Sequence, residues 1–222
     1  MMNKLTTALF LLLYTTVFTQ NVSVSGHKFN IVHNDLTFYL DNDTCSALSV
    51  HRVTYKEMLA IDGDRSNKWH KEKPYGPYNK NLYKKTGYDL GHLTPSNMTS
   101  YNDTINYHSF SLFNQAPQLA AFNRGKWSQL EKKVLKNLIK RKCDAIIITG
   151  VIYDKNSKML SNSRIKIPLS FFKIVITKST IECWMGSNVN GEIVSTDLKT
   201  IMEVSKQNGN SLVIILTNTP AN

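Results

Sequence analysis

The sequence predicts a single domain of the α+β class. Two segments with the alternating pattern of β-strands come first, a long amphipathic helix follows, and four more strand-like segments come after it. The chain has 222 residues, of which 41% are hydrophobic, so it is long enough to bury a sizeable core. No internal repeat or low-complexity segment divides it. One globular unit therefore accounts for the pattern.

The first twenty residues predict a secretory signal peptide. Lys4 precedes an apolar run at residues 8–14, and small and polar residues follow. The run is too short for a comfortable membrane span. A buried first strand or helix is the alternative, but lysine before leucines at the terminus favours a signal. We expect cleavage between residues 19 and 25, with residues 21–222 forming one secreted, extracellular domain.

Sequons and cysteines are compatible with a secreted chain. Asn-x-Ser/Thr triplets, which a eukaryotic secretory route can glycosylate, begin at Asn21, Asn42, Asn97 and Asn102. Three cysteines allow at most one internal disulfide, and they are Cys45, Cys143 and Cys183. Their spacing has no metal-ligand pattern, so neither a disulfide framework nor a zinc site is predicted.

The net charge of +11 favours a polyanionic partner, because excess Lys and Arg attract a phosphate backbone. Charge alone is equally compatible with a membrane-surface or glycosaminoglycan binder. In the mature chain, residues 123–142 are the one segment with a basic face and an apolar stripe, and burial in the core explains that stripe better. We therefore expect no stable membrane association.

The elements before the long helix are two strands and a loop. Residues 36–40 and 47–55 carry alternating β-branched and aromatic side chains, which predicts two strands joined by a turn at residues 41–43. Residues 62–85 are rich in Asp, Asn, Lys, Pro and Gly and predict a long loop over a binding face. Interleaved cations and aromatic residues in this loop suit phosphates and stacked bases, although an ordinary solvated loop looks much the same.

The long helix is predicted at residues 123–142. Apolar residues recur at Trp127, Leu130, Val134 and Leu138, and the lysines lie largely off that stripe. A compact apolar run at residues 144–150 then predicts a central strand. The remaining predicted elements are strands at residues 171–177, 181–185 and 212–216 and a short helix at residues 197–206.

His92 is the candidate general base, since imidazole changes protonation close to working pH. It lies in the pattern Asp-x-Gly-His-Leu-x-Pro, where Asp89 can hydrogen-bond locally and Gly91 lets the backbone bend. A lone histidine is usually structural. Two polar segments at fixed distances, beginning at Asn114 and Asn123, raise His92 above that interpretation.

Asn123 is the candidate metal ligand. Its neutral carboxamide oxygen suits a hard cation such as Mg²⁺, which often accepts only one or two protein oxygens. Glu131 follows at roughly 80° around a regular helix and could hold a metal-bound water. Taken separately, Asn123 would be a helix N-cap and Glu131 a solvent-exposed carboxylate. The prediction of a metal site depends on these two residues occurring together with the motif around His92.

Three segments together carry a resemblance to a known family. Residues 88–95 (YDLGHLTP), 113–118 (FNQAPQ) and 122–127 (FNRGKW), followed by Glu131, resemble the DNA/RNA non-specific endonucleases of the ββα-metal class, the relatives of endonuclease G. The resemblance extends from about Cys45 to Lys173, most of the mature chain. It implies a ββα-metal finger nuclease with a central, largely antiparallel sheet and one long metal-bearing helix.

The resemblance also implies residue roles. His92 becomes the general base, and Asn123 the sole direct protein ligand of Mg²⁺, with Mn²⁺ as the alternative ion. Glu131 becomes the anchor of a metal-bound water, and Asn114 a polar group near the base and the scissile phosphate. Asp89 is counted with this catalytic group. In the two-strand-plus-helix finger, His92 lies on the strand side and Asn123 opens the helix.

One position departs from the family pattern. The family usually has arginine between Asp and Gly, and this chain has Leu90 instead. The missing charge would be expected to contact phosphate, so its loss bears on rate or substrate preference. The sequence does not choose among the replacement cations Arg65, Lys84, Lys85, Arg124 and Lys126.

Two functional hypotheses follow. The first is a secreted, Mg²⁺-dependent, sugar-non-specific endonuclease that hydrolyses phosphodiester bonds in DNA and RNA. The second is a cationic nucleic-acid-binding protein that keeps the fold with weak catalysis. Retention of His92 and Asn123 favours the enzyme, because phosphate binding alone needs neither, whereas Leu90 favours the binder. Relatives are often dimers, so a homodimer is compatible with the resemblance.

Overall fold

A seven-stranded antiparallel sheet forms the centre of the molecule. The computed structural model describes residues 20–27, 29–42, 45–71, 80–161, 163–210 and 212–218. Its strands are β1 Gln20–Ser25, β2 Phe29–His33, β3 Leu36–Asn42, β4 Cys45–Val53, β5 Tyr88–His92, β6 Gln115–Leu119, β7 Ala145–Ile152, β8 Ser170–Ile176, β9 Ile181–Ser187, β10 Ile193–Thr196 and β11 Val213–Asn218. Its helices are α1 Tyr55–Leu59, α2 Asp103–Ser109, α3 Ala120–Phe122, α4 Ser128–Arg141 and α5 Leu198–Gln207, with a π-helical turn at Asn123–Trp127 and short 3-10 turns at Lys80–Tyr83 and Ser96–Met98.

The central sheet has the strand order β10-β9-β8-β7-β4-β3-β2. β7 and β8 are buried along their whole length, because both faces of the sheet are covered, and this explains their nearly continuous apolar sequences. Residues of α4 pack on one face, and residues of α5, β1 and β11 pack on the other. β1 pairs with β11, and β5 pairs with β6, in two separate small sheets. The predicted α+β class is confirmed.

Most predicted elements are confirmed, and one strand is too long in the prediction. The strand predicted at residues 47–55 ends at Val53, because Thr54 begins α1 with a capping box. Thr54 Oγ1 accepts a hydrogen bond from the Glu57 backbone N–H at 3.2 Å, and Glu57 Oε2 accepts one from the Thr54 N–H at 2.7 Å. The prediction was therefore wrong for Thr54 and Tyr55.

Several short elements are not predicted by the sequence pattern, namely β1, β2, β10, α1 and α2. β10 has four residues and is held by its ladder to β9, a contact that local sequence does not encode. Residues 61–69 have no regular structure, in agreement with the predicted loop, whereas residues 72–79 lie outside the described residues. Elements this short contain too few residues for a clear periodic pattern, so their structure depends on the strands and helices they contact.

The predicted signal peptide and one of the three cysteines fall largely outside the described residues. The signal-peptide prediction falls outside them, apart from Gln20, which begins β1. In the part of the chain that the structure describes, no helix is long and apolar enough to cross a membrane. Cys143 and Cys183 carry free thiols, and the Cys45 side chain is not among those described.

Candidate active site

A hairpin and a kinked helix position the site residues. β5 carries Asp89 and His92 and pairs antiparallel with β6. α3, the π-helical turn and α4 follow directly, so the helical segment begins at Ala120 rather than at Asn123. Gly125 has non-helical dihedral angles (φ −98°, ψ −112°) and kinks this segment. Asn123 therefore lies inside the helical segment and is not an N-cap, and an angle counted on a regular helix does not apply across the kink.

A cavity of about 340 Å³ lies between this helical segment, the end of β5 and the loop before it. It is lined by Arg65, His92, Pro95, Ser96, Asn97, Asn123, Arg124, Ser128, Glu131 and Lys132. The structure thus brings His92, Asn123 and Glu131 together, as well as two of the five candidate cations. The convergence of these groups makes the cavity the candidate active site.

His92 is held between aromatic rings. Its ring centroid lies 4.6 Å from that of Trp69 and 4.9 Å from that of Phe110, which meets it edge to face. Among the described residues, the buried Nε2 atom has no hydrogen-bond partner. Burial, and then the positive charge of Arg65, lower the pKa of His92 to about 3. The imidazole is therefore neutral at physiological pH.

Asp89 orients the side chain of Asn123. Asn123 Nδ2 donates to Asp89 Oδ2 at 2.9 Å, while Arg124 donates to the same carboxylate through Nε at 2.8 Å and Nη2 at 2.6 Å. A carboxylate only accepts hydrogen bonds, so the amide nitrogen must face Asp89, and Oδ1 remains for a cation. Partial burial opposes ionisation of Asp89, but the bonds from Arg124 and Asn123 lower its pKa overall. Asp89 acts on the site through Asn123 and is a positioning residue.

Glu131 is a buried carboxylate and not a solvent-exposed one. The residue is 8% exposed, and its Oε1 atom has no hydrogen-bond partner among the described residues. Lys173 Nζ lies 3.7 Å from that oxygen, too far for a direct hydrogen bond but close enough for an ion pair. Burial raises the pKa of Glu131 to about 7, although Lys173 acts in the opposite direction. The carboxylate is thus poised between its neutral and ionised forms at neutral pH.

The expectation that Asn114 lies at the scissile phosphate needs a correction. Asn114 is completely buried, and its carboxamide accepts from the Thr94 N–H at 2.9 Å. The same side chain donates to the backbone oxygens of Thr94 and Ser109, each at 2.7 Å. These bonds occupy the carboxamide. Asn114 therefore anchors the backbone of the segment after His92 and does not line the cavity.

The reason for glycine at position 91 also differs from the expectation. Gly91 does not adopt the left-handed backbone conformation that favours glycine. A Cβ atom at this position would instead lie 2.4 Å from Gln118 Oε1 and 2.5 Å from Gln118 Cβ. Gly91 is therefore required by the close approach of the Gln118 side chain on β6, beside His92, and not by a bend.

The structure separates the five candidate cations. Arg65 and Arg124 line the cavity, whereas Lys84, Lys85 and Lys126 are absent from its lining. Lys126 instead pairs with Glu192 at 2.6 Å on the surface. Leu90, at the position of the family arginine, packs against a core cluster that also contacts Trp69. The side chain at position 90 is therefore used for packing.

Sequence reasoning missed several cavity residues, notably Lys132, Ser96 and Asn97. Lys132 follows Glu131 directly, but a helix with many lysines gives no signal to single it out. Asn97 has only a sequon as its sequence signal, yet it lines the cavity, and its Oδ1 atom is buried without a partner in the described part of the chain. Proximity to the His92 motif was the one signal that could have found it.

The donor atoms fit a hydrated hard dication. The side chains of Asn123 and Glu131 offer oxygens, which Mg²⁺ prefers while it retains several waters. Glu131 lines the cavity, and a carboxylate can accept a hydrogen bond from such a water. Among the described residues, no group of three or more His, Cys, Asp or Glu side chains is arranged to hold a metal. The amide oxygen of Asn123 and the carboxylate of Glu131 suit a hard divalent cation.

Comparisons with known proteins agree on one family. The family model described as DNA/RNA non-specific endonuclease matches residues 13–213. The mitochondrial nuclease of Saccharomyces cerevisiae is 26% identical over 147 residues, covering 59% of this chain and 44% of the nuclease. Mitochondrial endonuclease G of Bos taurus is 26% identical over 153 residues, covering 63% of this chain and 51% of that protein. The chain thus spans about half the length of these relatives.

A solved structure shares the fold. The crystal structure of an EndoG/EndoGI complex contains a chain that aligns with a TM-score of 0.68 and 19% sequence identity. The alignment covers 80% of this chain and 83% of that one. The ββα finger and the large antiparallel sheet are therefore found together in a known architecture.

Proposed function

Because the chain belongs to the DNA/RNA non-specific endonuclease family, we propose that it is a secreted, Mg²⁺-dependent endonuclease that hydrolyses phosphodiester bonds in DNA and RNA. The observation that carries this proposal is the single cavity lined by His92, Asn123 and Glu131. A net charge of +11 suits a polyanionic substrate. Lys4 and the apolar run after it support secretion.

His92 would act as the general base. A base must be unprotonated before it takes a proton, and the pKa of about 3 keeps the His92 imidazole neutral. Trp69 and Phe110 restrict the ring, so the acceptor nitrogen is held in one place. The proton that His92 accepts would come from the water that attacks phosphorus.

Asn123 and Glu131 would hold the cation. Asn123 Oδ1 would bind Mg²⁺ directly, and Glu131 would hold it through water, with Mn²⁺ as a substitute. When bound, the ion neutralises charge on the phosphate and stabilises the leaving oxygen. Asp89 keeps the Asn123 amide turned so that its oxygen is available. A neutral ligand such as Asn123 leaves more of the ion's charge for the phosphate.

Arg65 would contact a phosphate in place of the missing family arginine. Arg124 already shares its guanidinium with Asp89 in a two-pronged ion pair. Arg65 is exposed, lines the cavity, and within the described residues has no carboxylate partner. Its hydrogen bond goes to the neutral Asn67 side chain at 3.3 Å. Its charge therefore remains available for the substrate.

A catalytically weak nucleic-acid binder is the second candidate. The observation that favours it is Leu90, which is partly buried and packs against the core at the position where the family has a charge. Such a protein would keep the positive surface and the cavity without efficient turnover. Cleavage, rather than binding, is the property that separates the two candidates.

The deciding experiment measures cleavage of supercoiled plasmid and single-stranded RNA by the purified mature chain. We expect nicking and then linearisation with Mg²⁺, and none with excess EDTA. His92→Ala should reduce the rate by about 10²- to 10⁴-fold, because the general base is lost. His27→Ala, which removes a histidine bonded to Asp41 away from the cavity, is the control and should cleave normally.

One result would contradict the assignment of the base, and another would contradict the enzyme proposal. Undiminished cleavage by His92→Ala would remove the assigned base. Salt-sensitive retardation of the same nucleic acids without cleavage would support the binder.

A further inference from the structure

A row of polar side chains crosses the central sheet beneath the ββα finger. Ser49 on β4 is opposite Thr149 on β7, and Thr149 is opposite Lys173 on β8. These three residues are at most 1% exposed, although most of the other residues on this face of the sheet, apart from the buried His51, are apolar and pack against α4. A charged lysine in such a place needs a compensating partner, because an unpaired buried charge is strongly unfavourable.

Lys173 has three neighbours that account for its burial. Its Nζ atom donates to Thr149 Oγ1 at 2.5 Å and lies 5.2 Å from the ring centroid of Trp127. The third neighbour is Glu131 Oε1, at 3.7 Å. Glu131 is the carboxylate that the structure pairs with this ammonium group. Burial lowers the pKa of Lys173, and Glu131 opposes that change.

Glu131 depends on Lys173 in return. Its carboxylate is almost fully buried at the wall of the cavity. The Lys173 ammonium group lies 3.7 Å from Oε1, and their attraction draws this oxygen towards the sheet. The orientation of the Glu131 side chain thus depends on Lys173.

The same polar row reaches the segment that carries the base. Thr94, two residues after His92, donates from Oγ1 to Ser49 Oγ at 2.9 Å. Lys173 contacts the helical side of the finger through Glu131, and Ser49 contacts the strand side through Thr94. The sheet therefore holds both sides of the cavity through the two ends of one row.

We propose that Lys173 is a positioning residue that orients the Glu131 carboxylate for binding of a divalent cation. This inference rests on the proposed metal-dependent function of the same cavity. Lys173 itself has no exposed surface, so it contacts neither the cation nor the nucleic acid. Its effect on the reaction passes through Glu131.

The first test measures cation binding without nucleic acid. Mn²⁺ is the probe, and its free concentration is followed by electron paramagnetic resonance in titrations of the full mature chain. Lys173→Met should weaken Mn²⁺ binding by about tenfold to a hundredfold, the range typical of groups that support a metal site from behind. Val175→Ala is the matched control, because Val175 is a buried residue on the same strand and face. It should lose stability while keeping its Mn²⁺ affinity.

A double-mutant cycle then separates positioning from packing. If Lys173 acts through Glu131, Lys173→Met should have no further effect on Mn²⁺ affinity in a Glu131→Gln background. An equal loss in both backgrounds would overturn the proposal, as would unchanged affinity in Lys173→Met or absence of Mn²⁺ binding by the native chain.

Stability provides a test even if Lys173→Met alone does not fold. In the native background the substitution leaves a buried carboxylate without its partner, so the free energy of unfolding should fall. In the Glu131→Gln background Lys173 is the unpaired charge, so Lys173→Met should maintain or increase stability. Lower stability in both backgrounds would overturn the proposed pairing. These measurements need no cleavage activity, so a protein that binds Mn²⁺ without cutting nucleic acid would contradict the enzyme proposal and leave this inference standing.

Discussion

In the proposed enzyme, Arg65 would supply the charge that the usual family pattern places at the position of Leu90. Leu90 lies on β5 and packs against the core cluster, so that position supplies no charge to the cavity. Arg65 comes from an irregular loop and lies over the Phe110 ring, with its guanidinium carbon 5.5 Å from the ring centroid. Phe110 also packs against His92, so the same aromatic ring contacts both the Arg65 guanidinium group and the His92 imidazole. A phosphate contact can thus be supplied from a different segment.

Replacement of Arg65 tests whether its charge contacts a phosphate of the substrate. Arg65→Ala should lower kcat/KM by about tenfold, the effect of losing one charge-assisted hydrogen bond to phosphate. The slope of log affinity against log salt should also fall by about 1. Lys84→Ala removes the same charge outside the cavity and is the matched control. Equal effects of the two substitutions would indicate a general charge effect and contradict a specific contact.

Residue identity alone did not decide the role of the two asparagines. Asn114 and Asn123 both belong to polar segments that follow His92 in the sequence. Asn114 has its carboxamide occupied by backbone groups, whereas Asn123 has only its NH₂ group engaged by Asp89. The remaining hydrogen-bonding capacity, which depends on neighbours brought by the fold, separates a structural asparagine from a candidate ligand.

At the level of elements, the π-helical turn sets the direction of Asn123. The turn places Asn123 and Arg124 next to each other, and both reach the carboxylate of Asp89 on β5. The kink at Gly125 lets α4 continue in a new direction, along which Glu131 reaches the same cavity. A regular α-helix would present these groups at other angles. The unusual turn is therefore part of the candidate metal site.

Asp89→Asn tests the connection between the strand and the turn. The substitution removes the charge that attracts Arg124 and allows the neighbouring amide to turn. Mn²⁺ affinity should fall by about tenfold or more, as for other groups that orient a ligand. Lys126→Met changes a cation of the same turn whose partner is Glu192, and it should leave the affinity unchanged. An unaltered titration for Asp89→Asn would show that Asn123 is oriented by other contacts.

At the level of the whole molecule, burial of titratable groups links stability to pH. His51 is completely buried, and burial followed by the charge of Lys173 lowers its pKa to about 3. His92 has a similarly low pKa. In the unfolded chain these groups take up protons near pH 6.5, while the folded chain does so only near pH 3. Stability contributed by their neutral forms is therefore lost as the pH falls through this window.

Glu131 acts in the opposite direction over part of the same range. Its pKa is raised from 4.5 to about 7, so the folded chain holds a proton that the unfolded chain releases. This contribution to stability is present below pH 4.5 and is lost as the pH rises through about 7. The net dependence of the free energy of unfolding on pH is the sum of the histidine and Glu131 contributions, which have opposite signs where their ranges overlap.

His51→Gln should reduce the dependence of stability on pH. The variant removes one histidine that must be neutral in the fold, so its slope between pH 6.5 and pH 3 should be shallower by about one proton. One proton corresponds to about 1.4 kcal/mol per pH unit. Urea unfolding at a series of pH values measures this slope. Parallel curves for His51→Gln and the native chain would contradict the assignment.

Much of the fold and part of the site could be predicted because their signals are local. Alternation and helical periodicity identified β3, most of β4, the strands from β7 to β9 and the helix around α4. The motif around His92, together with the segments at Asn114 and Asn123, identified the family and most of the named site residues. The capping box of Thr54 and Glu57 is also a local signal, although the alternating pattern obscured it. The short edge strand β10 was missed, because its four residues show no clear pattern and depend on pairing with β9.

The sequence by itself determined the family, the fold class and the residue types available for chemistry, since these follow from patterns within short segments. Only the tertiary structure decided that Arg65 and Arg124 reach the cavity, that Asn114 is buried behind it, and that Lys173 lies next to Glu131. The physical reason is that hydrogen bonding, burial and Coulomb attraction act over a few ångströms in space. Residues far apart in the sequence become neighbours only when the sheet and the finger have packed together.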